Sequence, residues 1–135
     1  DFIRRHLEIK AIDKQLNYLN RVLENFSHEG TRRHYFREER AFQALPPKAR
    51  YLEFHLGREQ LRLYCLYISE NIVFLFNGGI KTKAKAQDCK NVKSYFQEAE
   101  RLTSAIDKMI KEKRIEFDDN LTEILNLEEI ELWLT

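Results

Sequence analysis

The sequence predicts an α+β fold in which a short antiparallel β-meander packs against long amphipathic helices. Apolar residues recur at helical spacing early in the chain, alternate with polar residues in the middle, and return to helical spacing later. A chain of 135 residues is the usual size of one domain and can bury a core without disulfide or metal crosslinks. We therefore expect a single domain over residues 1–135, with an acidic helical extension over 113–135.

The first helix is predicted over residues 2–27, because its apolar residues follow one another at alternating steps of three and four. Such spacing also occurs in coiled coils, but this stripe is short for one, so we expect an intramolecular helix pair. Gly30 is a natural stop. Since the chain begins at Asp1 without Met, we expect further residues, which can include a first strand, before this helix. The stripe consists of Ile9, Ile12, Leu16, Leu19, Leu23 and Phe26.

Between the helices the apolar residues change to a period of two, which is typical of strands. One strand is predicted over residues 51–56 and a second over 61–68. A polar break leads to a third strand over 72–76, which we expect Gly78 and Gly79 to end. Connections this short make neighbouring strands antiparallel.

The stretch from 32 to 50 has a less regular pattern. Tyr35, Phe36 and Phe42 are apolar, whereas Pro46 and Pro47 prevent a helix from continuing. We interpret this stretch as a short helix or an irregular hydrophobic clamp.

After the strands, apolar residues step by four and three again and predict a helix over residues 91–112. We expect it to lie beside the first helix or to cover one face of the sheet together with it. Beyond it, N-cap residues at 118–120 and scattered apolar residues predict one or two short helices. The stripe of the long helix consists of Tyr95, Ala99, Leu102, Ile106 and Met109, which we interpret as core residues.

The net charge of +1 conceals a division along the chain. Residues 32–93 contain 13 basic and six acidic residues, whereas residues 94–135 contain five basic and 11 acidic ones. A positive middle is typical of a protein that binds a polyanion, and the acidic end can cover that surface or bind another partner. An ordinary solvated surface is the alternative interpretation.

Several classes of function lack a motif in this sequence. It has no P-loop, GxGxxG, HExxH or GxSxG pattern, so we expect no cofactor and no serine-hydrolase site. Cys65 and Cys89 lack the spacing of a metal site, so we expect no metal and free thiols in a reducing cytoplasm, with a disulfide as the alternative. The longest apolar runs are far shorter than a bilayer span, so we expect no membrane partner.

The segment over residues 61–85 carries the side chains best suited to bind phosphate. Arg62 belongs to one strand, and three lysines alternate after the glycine pair, which sends their ammonium groups to one side of an extended chain. Repulsion among like charges lowers the pKa of a lysine and suits it to act as a general base. The alternative is that these lysines protect the edge of a strand. The three lysines are Lys81, Lys83 and Lys85.

Two further groups lie near the start of the basic region. His28 and His34 flank the basic residues 32–33, a spacing that could contribute acid–base groups, although surface histidines are the more common interpretation. Glu38 and Glu39 lie among arginines and are interpreted as ion-paired surface residues.

These patterns together resemble the RelE/ParE toxin superfamily, and most of all its HigB-like, phage-derived branch. The resemblance covers residues 35–110. It rests on the arginine-bearing strand at 61–64, the apolar strand at 72–76, the lysine–threonine–lysine patch at 81–83 and the helix that follows. The LPPK segment at 45–48 precedes them in the same order of parts.

The resemblance implies a RelE-like core over residues 1–112 and the activity of a type II toxin–antitoxin toxin, which is usually a ribosome-dependent mRNA endoribonuclease. The implied partners are mRNA on the ribosome and a cognate antitoxin protein, and a homodimer is left open. Arg62 would stabilise the charged phosphorane, while Lys81 and Lys83 would bind phosphate and one lysine would accept the 2′-hydroxyl proton. The further RNA-binding residues expected are Arg58, Lys85 and Lys90.

Two other functions fit the same sequence. A noncatalytic domain of the same fold would bind RNA or a protein through its basic middle and acidic end. A ParE-like gyrase inhibitor would cause DNA breaks and no mRNA cuts. The acidic residues after 112 extend beyond the usual end of such toxins, and they would either cover the basic face or form a docking surface.

Overall fold

The computed structural model describes residue 2 and residues 13–46, 60–82 and 89–134, which form an α+β fold with a four-stranded antiparallel sheet. None of the helices in these ranges is both long and apolar enough to span a bilayer. In chain order the elements are helix α1 (Asp13–Glu29), a 3-10 turn (Arg33–Tyr35), strands β1 (Arg37–Glu38), β2 (Gln43–Leu45), β3 (Gln60–Ser69) and β4 (Ile72–Lys81), and helices α2 (Lys90–Lys111) and α3 (Leu127–Leu134).

The sheet has the strand order β1-β2-β3-β4, and each neighbouring pair is antiparallel. The strand predicted over 61–68 is confirmed as β3. The strand predicted over 72–76 is β4, but it runs on through Gly78 and Gly79, so the expectation that these glycines end it is wrong. The strand predicted over 51–56 lies outside the described residues.

The two glycines permit a close approach of backbones rather than a turn. A Cβ added at Gly78 would overlap the carbonyl oxygen of Arg62 on the neighbouring strand. A Cβ added at Gly79 would lie 2.6 Å from the carbonyl oxygen of Asn91 in α2. Glycine inside a strand often marks such contacts. The pair therefore determines how closely β4 approaches both β3 and α2.

The stretch before β3 adds two short strands to the sheet. The short helix or clamp expected over 32–50 is correct only in part. The described residues contain a 3-10 helix over Arg33–Tyr35, but strands β1 and β2 follow it where no strand was expected; residues 47–50 lie outside the described ranges. Strands of two and three residues are too short to display a period of two. A tertiary contact helps to hold them, because the side-chain oxygen of Gln43 accepts a hydrogen bond from the Tyr67 N–H at 2.8 Å.

Strand β3 is buried on both faces, since residues 61–66 are all buried. Alternate residues join separate clusters, one packed on α1 and the other on α2. The expectation that both helices share one face is therefore wrong. The α1 face includes Leu61, Leu63 and Cys65 with Leu16, Leu19 and Val22, and the α2 face includes Tyr64 and Leu66 with Val92, Phe96 and Ala99.

The acidic end of the chain is attached where the β3–β4 hairpin turns. The Ser69 hydroxyl donates a hydrogen bond to the Leu121 carbonyl at 2.7 Å. Phe117 and Ile124 form an antiparallel bridge, and Ile130 of α3 is buried in the cluster of the α2 face. Of the one or two short helices predicted here, the described part contains α3.

Cys65 and Cys89 are both buried and form no disulfide, which confirms the expected thiols. Burial raises the pKa of the Cys65 thiol, and the nearby Glu38 carboxylate raises it further. A thiol held protonated in this way is a poor nucleophile and acts as a small apolar core residue.

We expect Gly78→Ala to destabilise the protein by about 1–3 kcal/mol, because the added methyl group must displace the backbone of β3. Urea unfolding followed by circular dichroism measures this. Ser104→Ala, on the exposed side of α2, is the matched control and should change the free energy of unfolding by less than about 0.5 kcal/mol. Equal stability of the two variants would show that β4 does not approach β3 so closely.

Candidate functional site

Arg62 and Lys81, two of the predicted catalytic residues, lie on the same face of the β3–β4 hairpin. In the register Gln60 is opposite Lys81, and Arg62 is opposite Gly79. Side chains two residues apart on a strand point to the same side, so both cations are on the α2 face. Arg62 is only 1% exposed, whereas Lys81, at the end of β4, is partly exposed.

The other predicted site residues divide into two groups. Lys90 is the first residue of α2 and its side chain is exposed. Arg58, Lys83 and Lys85 lie outside the described residues. The described part of the predicted site therefore consists of Arg62, Lys81 and Lys90.

A carboxylate lies between two arginines at this site. Oε1 of Glu39 is 3.3 Å from Nε of Arg37 and 3.8 Å from Nε of Arg62. Arg37 and Glu39 reach the same face because they are two residues apart, and the Glu39 N–H donates to the Phe42 carbonyl at 3.0 Å to close the β1–β2 turn. We call Arg37, Glu39, Arg62 and Lys81 the basic cluster.

The Arg62 guanidinium is oriented by oxygen atoms of its own strand. Nη2 donates to the side-chain oxygen of Gln60 at 2.8 Å, and Nη1 donates to the Leu61 carbonyl at 3.3 Å. A planar guanidinium held at several points has little rotational freedom left to lose when it binds an anion. Arg62 is thus pre-oriented, at the cost of being almost inaccessible to water.

Burial determines the electrostatics of the basic cluster. Burial lowers the pKa of Arg62 to about 9, the neighbouring Arg37 lowers it further, and Glu39 opposes the shift. The pKa of Lys81 is lowered from its usual value by burial and then by the charge of Arg62. Burial likewise lowers the pKa of Arg37, against the attraction of Glu39. Cations that share a poorly hydrated site in this way favour the approach of a further anion.

Tyr64 places a hydroxyl group beside the basic cluster. Its side chain is fully buried, and within the described ranges its hydroxyl oxygen has no hydrogen-bond partner. Burial raises the pKa of Tyr64, and Glu39 raises it further, so the hydroxyl stays protonated and able to donate. The ring is held edge-on by Phe42 at 5.8 Å and by Phe96 at 5.6 Å between centroids.

The start of α2 is tied to the end of β4 next to Lys81. The Thr82 N–H donates to Sγ of Cys89 at 3.4 Å, and the Thr82 hydroxyl lies at the same distance. The Cys89 thiol in turn donates to the Ile80 carbonyl at 3.8 Å. These contacts bring the positive end of the helix dipole to the same end of the sheet, where it adds to the attraction for anions.

The acidic end of the chain lies away from the basic cluster. Its hydrogen bond to the sheet is at Ser69, seven residues along β3 from Arg62, or about 23 Å at the usual rise per residue. In the described part, the basic cluster therefore lies at the opposite end of the sheet from the contact made by the acidic extension.

Glu38 and Glu39, both expected to be ion-paired surface residues, lie in different environments. Glu38 is the expected surface residue: its side chain is 58% exposed and pairs with Arg33 at 3.1 Å. The Glu39 side chain is 14% exposed and belongs to the basic cluster. The alternation of Arg37 and Glu39 could have indicated this, had residues 37–38 been recognised as a strand.

No group of three or more His, Cys, Asp or Glu side chains that could hold a metal ion occurs in the described ranges. Comparison with protein-family models, curated proteins and solved structures gives no match to this chain. The chemistry of the site therefore has to be argued from its own residues.

We expect Glu39→Gln to destabilise the protein by about 2–4 kcal/mol, because it leaves two largely buried arginines without the carboxylate between them. The matched control is Glu38→Gln, which removes an exposed charge, retains an oxygen for Gln43, and should cost less than about 1 kcal/mol. Urea unfolding of both variants makes the comparison. Equal losses would mean that Glu39 does not neutralise buried charge.

Proposed function

We propose that this protein is the toxin of a type II toxin–antitoxin pair and acts as a ribosome-dependent mRNA endoribonuclease of the RelE/ParE kind. The observation that carries the proposal is the convergence of Arg62 and Lys81 on one face of the hairpin, beside Arg37 and the start of α2. If the two side chains lay on opposite faces of the sheet, they could not contact the same phosphate. The resemblance over residues 35–110 supplies the reaction class.

In the proposed reaction the 2′-oxygen of the RNA attacks the adjacent phosphorus and the bond from phosphorus to the 5′-oxygen breaks. Lys81 in its neutral form accepts the 2′-hydroxyl proton, and its lowered pKa increases the fraction of neutral amine near pH 7. The leaving 5′-oxygen takes a proton from water. The products are a 2′,3′-cyclic phosphate and a 5′-hydroxyl end.

Arg62 stabilises the extra negative charge of the phosphorane in this proposal. To reach it, a phosphate oxygen takes the place of the Glu39 carboxylate between Arg37 and Arg62, so the cluster exchanges one anion for another. Lys83 contributes a second phosphate contact, and Arg58, Lys85 and Lys90 hold the flanking RNA. A cognate antitoxin is the proposed protein partner.

One observation favours a second function, a noncatalytic RNA- or protein-binding domain of the same fold. Arg62 is 1% exposed, donates hydrogen bonds to Gln60 and Leu61 and forms an ion pair with Glu39 at 3.8 Å, as expected of an arginine that supports the core. In that case phosphate does not displace Glu39. The chain then binds its partner through exposed cations and leaves RNA intact.

Mutation of the lysines should abolish cleavage. In a bacterial translation extract the purified protein should cut mRNA and leave 5′-hydroxyl ends, and Lys81→Ala combined with Lys83→Ala should lower the rate at least about 100-fold, the usual scale for a general base. Lys111→Ala, which removes an exposed lysine paired with Asp107, should cleave normally. Intact mRNA with a folded protein favours the noncatalytic domain, and DNA breaks without mRNA cuts would indicate gyrase inhibition.

The cleavage rate should rise with pH if Lys81 accepts the proton. The neutral fraction of a lysine increases tenfold with each pH unit below its folded pKa, so at pH values below that pKa the logarithm of the rate should rise with a slope of about one. Single-turnover cleavage on programmed ribosomes measures this slope. Lys81→Arg keeps the charge but not the titration and should be slow with a flat profile; an unchanged profile would exclude Lys81 as the base.

A further inference from the structure

The surface on the other side of β1 from the basic cluster combines exposed cations with one exposed ring, His34, and two half-buried rings, Tyr35 and Tyr67. Arg32, Arg33 and His34 are consecutive and exposed, and Tyr35 is half-buried. The His34 and Tyr35 rings contact each other, with centroids 4.3 Å apart and planes tilted by 37°. The Arg33 guanidinium lies over the Tyr67 ring, 5.2 Å from its centroid. We call these five residues the aromatic platform.

A chain of ring contacts supports the aromatic platform from below. Tyr35 packs edge-on against Phe26 of α1 at 5.8 Å, and Phe26 stacks on Phe36 at 5.7 Å. Phe36 in turn packs edge-on against Tyr67 of β3 at 5.3 Å. The half-buried rings of Tyr35 and Tyr67 therefore rest on core residues of the α1 face, so little side-chain entropy remains to be lost when a ligand binds them.

The backbone of the aromatic platform is held as well. Thr31 donates from its N–H to the Glu70 carbonyl and from its hydroxyl to the Ser69 carbonyl at 2.6 Å. Gly30, with φ of +86°, turns the chain so closely past the hairpin that a Cβ would lie 2.7 Å from the Glu70 oxygen. A 3-10 helix over Arg33–Tyr35 then leaves the side chains of Arg33 and His34 exposed, with Tyr35 half-buried beneath them.

Exposed rings interleaved with cations are the features that bind single-stranded nucleic acids, because bases stack on the rings while cations meet the phosphates. Arg33 is already oriented by Glu38 at 3.1 Å and by the Tyr67 ring. We propose that the aromatic platform binds an unpaired RNA base by stacking on His34 and Tyr35, with Arg32 and Arg33 on the adjoining phosphates. This inference rests on the proposed function, since it names where the RNA beside the cleaved phosphate is held.

The position of β1 places the aromatic platform next to the basic cluster. Arg37 and Glu39 project to the basic cluster on the α2 face, whereas Glu38 projects to Arg33 on the α1 face. The aromatic platform and the basic cluster are thus separated by one edge strand of two residues. A single strand that crosses this edge reaches both surfaces without crossing the sheet.

Direct binding of RNA tests the aromatic platform separately from cleavage. Fluorescence anisotropy with short labelled oligoadenosine should show that His34→Ala weakens binding roughly 5- to 100-fold, the range measured for loss of one stacking contact. His34→Phe keeps an aromatic ring at this position and should restore most of the affinity. His28→Ala removes an exposed histidine in the last turn of α1, outside the aromatic platform, and should bind like the parent protein.

An abasic oligomer of the same length and charge distinguishes stacking from simple attraction. The parent protein should bind it more weakly than oligoadenosine, and His34→Ala should lose most of this preference, because only the Tyr35 ring then remains for stacking. Equal affinity of parent and His34→Ala for oligoadenosine, or equal affinity of the parent for both oligomers, would overturn the inference. If the platform binds as expected while the translation extract shows uncut mRNA, the proposed cleavage fails and the binding site stands.

Discussion

The burial of β3 on both faces constrains every other described part of the structure. A strand whose residues 61–66 are all shielded from water requires a helix on each side, and α1 and α2 fulfil this requirement. It also requires close neighbours along its edges, which explains the glycine pair in β4. Where β2 no longer pairs with β3, the side-chain oxygen of Gln15 in α1 accepts the Leu61 N–H at 2.7 Å, so a helix satisfies a backbone group of the strand.

An arginine inside such a strand creates the site. Removing a guanidinium from water is costly unless partners surround it, and Arg62 obtains them from Gln60, Leu61 and Glu39. Apolar packing alone would have been served as well by leucine or methionine at this position. Arg62 instead carries a charge, and the pKa values of the neighbouring Arg37 and Lys81 are also lowered. Such a group of cations is easier to understand as preparation for binding an anion than as a contribution to stability.

The sequence predicts those elements best whose signal is local. The helix expected over 91–112 lies at Lys90–Lys111, and the alternating pattern over 61–68 lies in β3, because each is long enough for its period to repeat. Strands β1 and β2 escape prediction because two or three residues carry no period. The end of β4 was predicted wrongly at Gly78 and Gly79 because glycine occurs both in turns and where two backbones approach closely. Only the positions of Arg62 and α2 in the fold show that these two glycines belong to the second case.

The residues of the site likewise divide into those with a local sequence signal and those without one. Arg62 and Lys81 were predicted from spacing along one hairpin, where pairing of neighbouring strands determines which side chains meet. Glu39, Arg37 and Tyr64 come together through β1 and β2, so no local pattern identifies them as a group.

Strand β1 combines two roles that charged edge strands can have. Among the described strands β1 lies at an edge of the sheet, where charged side chains disfavour pairing with another chain. Protection of an edge does not by itself require that the charges be sorted between the two faces of the sheet. Here, however, Arg37 and Glu39 pair on one face, and Glu38 pairs with Arg33 on the other. Glu39 pairs with Arg37 near the buried hydroxyl of Tyr64. Glu38 pairs with Arg33, which lies over the Tyr67 ring. That arrangement leaves oriented cations on both sides of the same edge, which is the geometry that a polyanion passing around the edge would need.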